Sequence, residues 1–227
     1  DKVVDFADPT GRRLRHMAGF FRELRLEGSA VVGSSMGATY LSRDLASERP
    51  QIPAAVAVLS SGGGFVPDTP ARQRMLTYDL TEEGMGEILD AMLVNKRILT
   101  EEYVAWRHQL SLEPGAWQCV ASARLRPPAR EPSGESAGGF GKPDRTVYES
   151  ITVPVLLVAG EEDPLRLPGY AEEFVGRIPD AEVRIYPNCG HMPHLEYPDV
   201  FQSDLLGFLR RRYPQAGDEK AATRVDH

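Results

Sequence analysis

The stretch AVVGSSMGATYLSRDL, residues 30–45, places a short glycine- and serine-rich pattern between an apolar run and a helix-like run. The pattern is G-x-S-x-G at residues 33–37, with Ser35 at its centre. A serine at such a strand–turn–helix junction is pushed out of the sheet, with its hydroxyl exposed at the N-terminus of a helix. We expect glycines at both flanks because side chains there would collide with the neighbouring strand and helix. An ordinary Gly/Ser-rich turn is the alternative, and the flanking apolar and helical runs favour an exposed nucleophile.

The composition is that of a soluble globular protein. The chain has 227 residues, of which 41% are hydrophobic and 26% charged, enough for one domain with a sizeable core. Its net charge of −7 argues against a nucleic-acid surface, and no apolar run reaches the roughly 18 residues of a membrane span. Cys119 and Cys189 are far apart and lack metal-ligand spacing. We therefore expect no disulfide, no metal and no cofactor, and a reducing, cytoplasmic compartment.

The alternation of helices with short apolar strands predicts a parallel sheet. The strands are nearly continuous apolar runs, which is typical of a sheet covered by helices on both faces. The final strand instead alternates apolar and polar residues, which places it nearer an edge. The predicted strands are residues 29–34, 54–59, 153–160 and 182–186, and the predicted helices are residues 8–26, 36–47, 171–177 and 198–212.

The pattern changes to helices alone between residues 65 and 125. An apolar stripe runs from Met85 to Leu93, a helix start with acids in its first turn lies at residues 100–102, and a third short helix covers residues 116–125. Residues 127–144 are rich in Pro, Gly and Ser and predict a long flexible loop. We expect one discontinuous core domain (residues 1–64 and 147–212), a helical cap with its flexible loop (residues 65–146) and a disordered tail (residues 213–227).

Three polar residues follow predicted strands in an order that suits nucleophilic catalysis. A serine hydroxyl is a poor nucleophile at neutral pH unless an imidazole accepts its proton and a carboxylate orients that imidazole. Asp163 follows the third strand and His191 follows the fourth. Because the strands are predicted to be parallel, these side chains and Ser35 share one edge of the sheet. The order Ser, Asp, His predicts a catalytic triad. Asp68 is a weaker alternative for the acid, and His194 is the rival base.

Charge that develops on an attacked carbonyl oxygen also needs hydrogen-bond donors. The backbone N–H of Met36 is well placed, because the residue after the nucleophile begins a helix. A second donor normally comes from a loop many tens of residues earlier, and the stretch before Ser35 contains no strand followed by such a loop. The chain also begins at Asp1 rather than at a methionine and enters a helix almost at once. We therefore expect an N-terminally truncated sequence that lacks part of this oxyanion site.

From residue 8 to residue 212 the chain resembles the α/β-hydrolase superfamily. The resemblance begins just before the strand that carries the nucleophile in that superfamily. The matching motifs are the G-x-S-x-G turn at residues 33–37, Gly-x-x-Asp at residues 160–163 and Gly-His at residues 190–191. The resemblance implies an α/β-hydrolase fold of mostly parallel sheet, with an inserted helical cap.

Within that superfamily, residues 98–107, ILTEEYVAWR, are similar to the cap helix of the meta-cleavage-product hydrolases. Those enzymes split carbon–carbon bonds in ring-opened aromatic compounds. The resemblance implies that Arg107 contacts the substrate's carboxylate end, and a bidentate guanidinium suits a 2-oxo acid. A solvated helix arginine is the alternative. The chain departs from that family at three places. The family usually has Asn where this chain has Ser34, and Gly-Gly where this chain has Gly-Ala at residues 37–38. The family often has Trp where this chain has Met192.

We therefore expect a Ser-His-Asp hydrolase that cleaves a carbon–carbon bond in a ring-cleavage-product-like acid. A carboxylesterase acting on small hydrophobic esters is the alternative, since ester and carbon–carbon cleavage share this triad. A non-catalytic ligand-binding protein is the alternative of another class. The expected partner is a small molecule, with neither nucleic acid nor membrane, and a homo-oligomer is left open. The candidate substrate contacts are Trp106, Arg107, Ser34 and Met192, together with Met85 and Met92 in an apolar pocket.

Overall fold

The computed structural model describes residues 9–121 and 140–213. Its four strands form one sheet in the order β1-β2-β3-β4, and every neighbouring pair is parallel. The predicted parallel sheet is therefore confirmed, and the alternating last strand lies at an edge of this sheet. The strands are β1 (Ser29–Ser34), β2 (Ala54–Ser60), β3 (Val155–Gly160) and β4 (Ala181–Tyr186).

The described helices follow the predicted ones closely, with two additions. Two short helices, residues 70–76 and 193–196, were missed because each spans two turns or fewer and shows no apolar stripe of helical period. The described α-helices are α1 (Pro9–Glu23), α2 (Met36–Leu45), α3 (Pro70–Leu76), α4 (Glu82–Asp90), α5 (Glu101–Leu112), α6 (Ala116–Ala121), α7 (Tyr170–Val175), α8 (Pro193–Glu196) and α9 (Pro198–Arg212), and short 3-10 turns lie at Lys96–Ile98 and Tyr148–Ser150.

Each face of the sheet carries its own apolar cluster. Along β2, Ala57 and Leu59 belong to the cluster that includes residues of α2 and α7, with α1 packed against it. Val56 and Val58 belong to the opposite cluster, which includes residues of α9. This division follows from the strand itself, because successive side chains point to opposite faces. Helices therefore cover both faces, which explains why these strands are apolar along nearly their whole length.

Helices α3 to α6 occupy the described chain between β2 and β3. Thr81 and Thr100 cap α4 and α5 by accepting the backbone N–H three residues ahead. The apolar stripe of α4 is buried against α5 and Leu165, a residue of the loop after β3. The division into core and cap stays a prediction. Most of the predicted loop at residues 127–144 and nearly all of the predicted tail lie outside the described residues.

The turn between β1 and α2 is as tight as its glycines suggest, although only one flanking glycine is needed for space. Ser35 has φ 50° and ψ −111°, a strained conformation for a residue with a side chain. A Cβ on Gly33 would lie 2.7 Å from the backbone nitrogen of Ala38. A Cβ on Gly37 would meet no heavy atom within 4 Å, so the expected collision there is wrong. Gly62, after β2, is the second tight position, since its Cβ would lie 2.2 Å from the carbonyl oxygen of Ser35.

These spacings predict opposite effects for two matched substitutions in the turn. Gly33→Ala forces backbone atoms apart and should lower the free energy of unfolding by about 1–3 kcal/mol. Gly37→Ala adds a methyl group in open space within α2 and should leave stability unchanged or raise it by up to about 1 kcal/mol. Urea unfolding of both variants measures the difference. Equal losses in the two variants would contradict the assigned roles of the two glycines.

Candidate active site

Three polar side chains converge at the carboxyl edge of the sheet. Ser35 directly follows β1, Asp163 lies in the loop after β3, and His191 lies in the loop after β4. Because all four strands run in the same direction, their carboxyl ends share this edge. The sheet therefore brings together residues separated by as many as 156 positions in sequence.

The three side chains form a continuous hydrogen-bonded chain. His191 Nε2 lies 2.7 Å from Ser35 Oγ. His191 Nδ1 lies 2.8 Å from Asp163 Oδ2 and 3.0 Å from Oδ1. An ionised carboxylate only accepts hydrogen bonds, so Nδ1 carries the proton and Nε2 is left to accept the serine hydroxyl proton. This arrangement can activate Ser35 as a nucleophile.

Burial governs the protonation of the histidine. The His191 side chain is 1% exposed, and this burial lowers the pKa of its imidazole below the ordinary value. The carboxylate of Asp163 opposes that effect by stabilising the charged ring, whereas the guanidinium groups of Arg166 and Arg72 add to it. The imidazole is therefore neutral at pH 7, the form that can accept a proton.

A buried arginine, Arg166, holds the loops around Asp163. The guanidinium of Arg166 donates to the carbonyl oxygens of Ser61, Gly63 and Phe65, at 2.9 to 3.3 Å. The same group lies 4.8 Å from the ring centroid of Tyr170. These contacts fix the loop after β3 to the loop after β2. Hydrogen bonds made by a charged group contribute about 1.5–3 kcal/mol each, so this attachment is strong.

Sequence reasoning missed both buried arginines. Arg72 is 7% exposed and donates to the carbonyl oxygen of Leu165 at 2.9 Å. Arg166 is 6% exposed. In the sequence Arg72 stands beside polar residues and Arg166 lies between two leucines in a stretch with Pro and Gly, and an arginine in either setting is ordinarily solvated. Their burial depends on contacts with residues about 90 to 105 positions away, so no local pattern reveals it.

The candidate substrate contacts lie in three different places. Ser34 ends β1 and is half-buried, and Met192 packs against the apolar cluster that contains Met85 and Met92. Trp106 is 52% exposed on α5. The neighbouring arginine, at position 107, is also exposed, with its guanidinium carbon 6.0 Å from the Trp106 ring centroid. Their roles in substrate binding stay predictions.

The start of α2 has a cationic neighbour. Met36 is the first residue of the helix, and N–H groups in the first turn have no intrahelical acceptor. A guanidinium nitrogen of Arg13, on α1, lies 3.4 Å from Met36 Sδ and 3.0 Å from the hydroxyl of Tyr40. Because the backbone N–H of Met36 lies in the first turn of α2, it stays the candidate oxyanion donor.

The alternative acid and base lie elsewhere. Asp68 is exposed and accepts a hydrogen bond from Gln73. His194 packs its ring against Phe201, with the ring centroids 5.9 Å apart. The structure therefore brings His191, and not His194, against Ser35.

The search for other kinds of site is confined to residues 9–121 and 140–213. Within these ranges no group of three or more His, Cys, Asp or Glu side chains could hold a metal ion. No helix in the same part of the chain is long and apolar enough to cross a membrane. Cys119 and Cys189 are both free thiols.

Residues 3–202 match the model of the alpha/beta hydrolase family. The chain belongs to this family and is an enzyme of the hydrolase type, as the fold and the sequence motifs predicted.

Similar proteins confirm the resemblance to meta-cleavage-product hydrolases. The 2-hydroxy-6-oxo-6-(2'-aminophenyl)hexa-2,4-dienoic acid hydrolase of Metapseudomonas resinovorans is 27% identical over 205 residues, covering 88% of this chain and 67% of that protein. The structure of a meta-cleavage product hydrolase from Pseudomonas fluorescens IP01 matches with a TM-score of 0.73 and 20% identity, covering 89% of this chain and 72% of that one. A pimeloyl-[acyl-carrier protein] methyl ester esterase of Nitrosospira multiformis is 38% identical over 66 residues, which cover 29% of this chain and 25% of that protein.

The burial of His191 makes its titration a test of the site. An NMR titration of the imidazole should give a pKa below 6.5, and Asp163→Asn should lower it further by removing the opposing charge. Because the folded-state pKa lies below the unfolded one, the unfolded chain binds more protons between the two values. The contribution of His191 to the free energy of unfolding is therefore lost as pH falls from 6.5 through the folded pKa. The same titration in urea supplies the unfolded reference, and a raised pKa in Asp163→Asn would contradict the assignment.

Proposed function

We propose that the protein is a serine hydrolase in which Ser35, His191 and Asp163 form the catalytic triad. The observation that carries this proposal is the buried chain of hydrogen bonds from Ser35 Oγ through the imidazole to the Asp163 carboxylate. In this proposal Ser35 attacks an activated carbonyl carbon while His191 Nε2 takes the hydroxyl proton. Asp163 holds the ring in the correct tautomer and stabilises the imidazolium that forms. The backbone N–H of Met36 donates to the developing oxyanion.

His191 then returns its proton to the leaving group as the bond to the carbonyl carbon breaks. Water, deprotonated by the same imidazole, releases the acyl group from Ser35 and restores the hydroxyl. The neutral resting state of His191 suits this cycle, because an imidazole that is already protonated cannot begin it.

We propose that the substrate is a 2-oxo or dienoic acid of the kind formed by cleavage of an aromatic ring, and that the broken bond is a carbon–carbon bond. In this reading His191 also helps to ketonise the dienol before the bond breaks. The relatives named for hydrolysis of such acids support this choice. The buried guanidinium groups of Arg72 and Arg166 also support an acidic substrate. Both lower the pKa of His191 by their positive charge, and the same positive potential favours an anionic ligand. Arg107 is the proposed contact for the substrate carboxylate.

A carboxylesterase acting on small hydrophobic esters is the second candidate. It is supported by the partial similarity to a methyl ester esterase, and the proposed triad suits an ester equally well. A non-catalytic ligand-binding role is the third, and the complete hydrogen-bonded chain at Ser35 argues against it.

Covalent labelling separates the enzyme from the binding protein. An alkyl fluorophosphonate should label the protein at Ser35, and Ser35→Ala should reduce labelling by about 10⁴-fold or more, because the nucleophile is gone. Ser203→Ala, which alters an exposed serine on α9, is the matched control and should label as the wild type does. Mass spectrometry of the adduct identifies the modified residue. A wild-type protein that the reagent does not label would overturn the proposed function.

The two enzyme candidates differ in their substrates and in the need for Arg107. We expect kcat/KM for a 2-hydroxy-6-oxohexa-2,4-dienoate to exceed that for p-nitrophenyl butyrate. Arg107→Gln should raise KM for the dienoate by at least about tenfold, since a charge-assisted hydrogen bond contributes about 1.5–3 kcal/mol. The neutral ester is the control, because its KM should be unchanged in the same variant. Turnover of the ester alone would favour the carboxylesterase.

A further inference from the structure

A second buried carboxylate lies five residues after His191. Glu196, at the end of α8, is 5% exposed. Its Oε2 accepts the backbone N–H groups of Gly190 at 2.8 Å, Val94 at 3.0 Å and Asn95 at 2.8 Å. Its Oε1 accepts the N–H of Met192 at 3.1 Å. Four N–H groups, from two segments that are far apart in sequence, therefore converge on one side chain.

The backbone N–H between those of Gly190 and Met192 is also held. The N–H of His191 donates to the carbonyl oxygen of Met92 at 2.8 Å. The three consecutive N–H groups of residues 190–192 thus all end on Glu196 or on the segment between α4 and α5. The side-chain amide of Asn95 adds a bond to the carbonyl oxygen of Glu196, at 3.1 Å.

The two segments are also in close contact. A Cβ on Gly190 would lie 2.5 Å from the carbonyl oxygen of Met92 and 2.9 Å from the nitrogen of Val94. Residues 92–95 and the histidine loop therefore approach backbone to backbone, and a glycine is required at this contact. Such an approach leaves several N–H groups buried together, and a carboxylate is the side chain best able to satisfy them.

We infer that Glu196 is a positioning residue that fixes the loop carrying His191 to residues 92–95 and so sets the distance between the imidazole and Ser35. The inference rests on the proposed function, in which His191 is the general base. Hydrogen bonds to the residues on either side of His191 restrain its backbone, and the ring position follows from the backbone. A displacement of about 1 Å in a reacting group can cost about 10²-fold in rate.

The substitution Glu196→Gln tests this inference with little change in shape. A glutamine oxygen can still accept the three N–H groups now bound by Oε2, but its NH₂ group would then face the N–H of Met192. The loop should loosen on the side next to His191. We expect the maximal rate of labelling by an alkyl fluorophosphonate to fall about ten- to hundredfold, and the reagent's binding constant to change less than about twofold. Glu48→Gln, at an exposed glutamate, is the matched control and should match the wild type.

A double-mutant cycle distinguishes positioning of the histidine from general support of the fold. In a His191→Ala background, Glu196→Gln should cause no further loss of labelling rate, because the group that it positions is gone. An equal loss in both backgrounds would overturn the inference, and so would a single variant that labels at the wild-type rate.

A second variant keeps the test open if Glu196→Gln does not fold, as judged by circular dichroism. Asn95→Ala removes one hydrogen bond to Glu196 and should lower the labelling rate by several-fold, again only when His191 is present. An unchanged rate would count against the inference. Failure of the proposed function is a separate result, since it appears as a wild-type protein that is not labelled or as Ser35→Ala labelling as well as the wild type.

Discussion

The hydrogen bond between His191 and Asp163 is almost completely buried, since each of the two side chains is 1% exposed. A carboxylate in such a place is costly unless donors and opposite charge surround it. The imidazole supplies one donor, and the backbone N–H of Leu165 supplies another at 2.9 Å. The pairing of β3 with β4 makes this contact possible, because it places the loop that carries Asp163 beside the loop that carries His191. The buried pair therefore requires a rigid sheet beneath it and tightly held loops above it.

Ser35, the proposed nucleophile, has a strained backbone conformation and is closely packed against the loop after β2. A positive φ at a residue with a side chain costs roughly 1–3 kcal/mol, and Ser35 adopts one. The strain persists because the surrounding structure restrains the backbone. The N–H of Ser35 donates to the carbonyl oxygen of Ser60, at the end of β2, at 2.7 Å. Gly62 packs against the carbonyl oxygen of Ser35 from the next loop. The turn is thus determined by two neighbouring strands and not by its own pattern alone.

This division explains how much of the molecule its sequence could predict. Strands and long helices follow from local apolar patterns, and Ser35, Asp163 and His191 follow from their order after parallel strands. The collision expected at Gly37 is wrong, and besides Gly33 the second tight position is Gly62, which lies outside the pattern and is distant in sequence. The buried partners of the site, such as Arg166, bind residues about 100 positions away, and no local period encodes such contacts. Sequence therefore predicts where chemistry can occur better than it predicts what holds the reacting groups.

Two buried carboxylates near one histidine illustrate how surroundings assign roles to identical groups. Asp163 faces the imidazole ring, so its charge acts on the ring's tautomer and pKa. Glu196 faces backbone N–H groups, whose directions are fixed by the chain, so its charge acts on the position of the loop. A carboxylate can accept charge-assisted hydrogen bonds from an imidazole or from backbone amides, so the surroundings decide which role each carboxylate has. The proposed base, His191, is consequently controlled both in its proton affinity and in its position, by two carboxylates from different parts of the sequence.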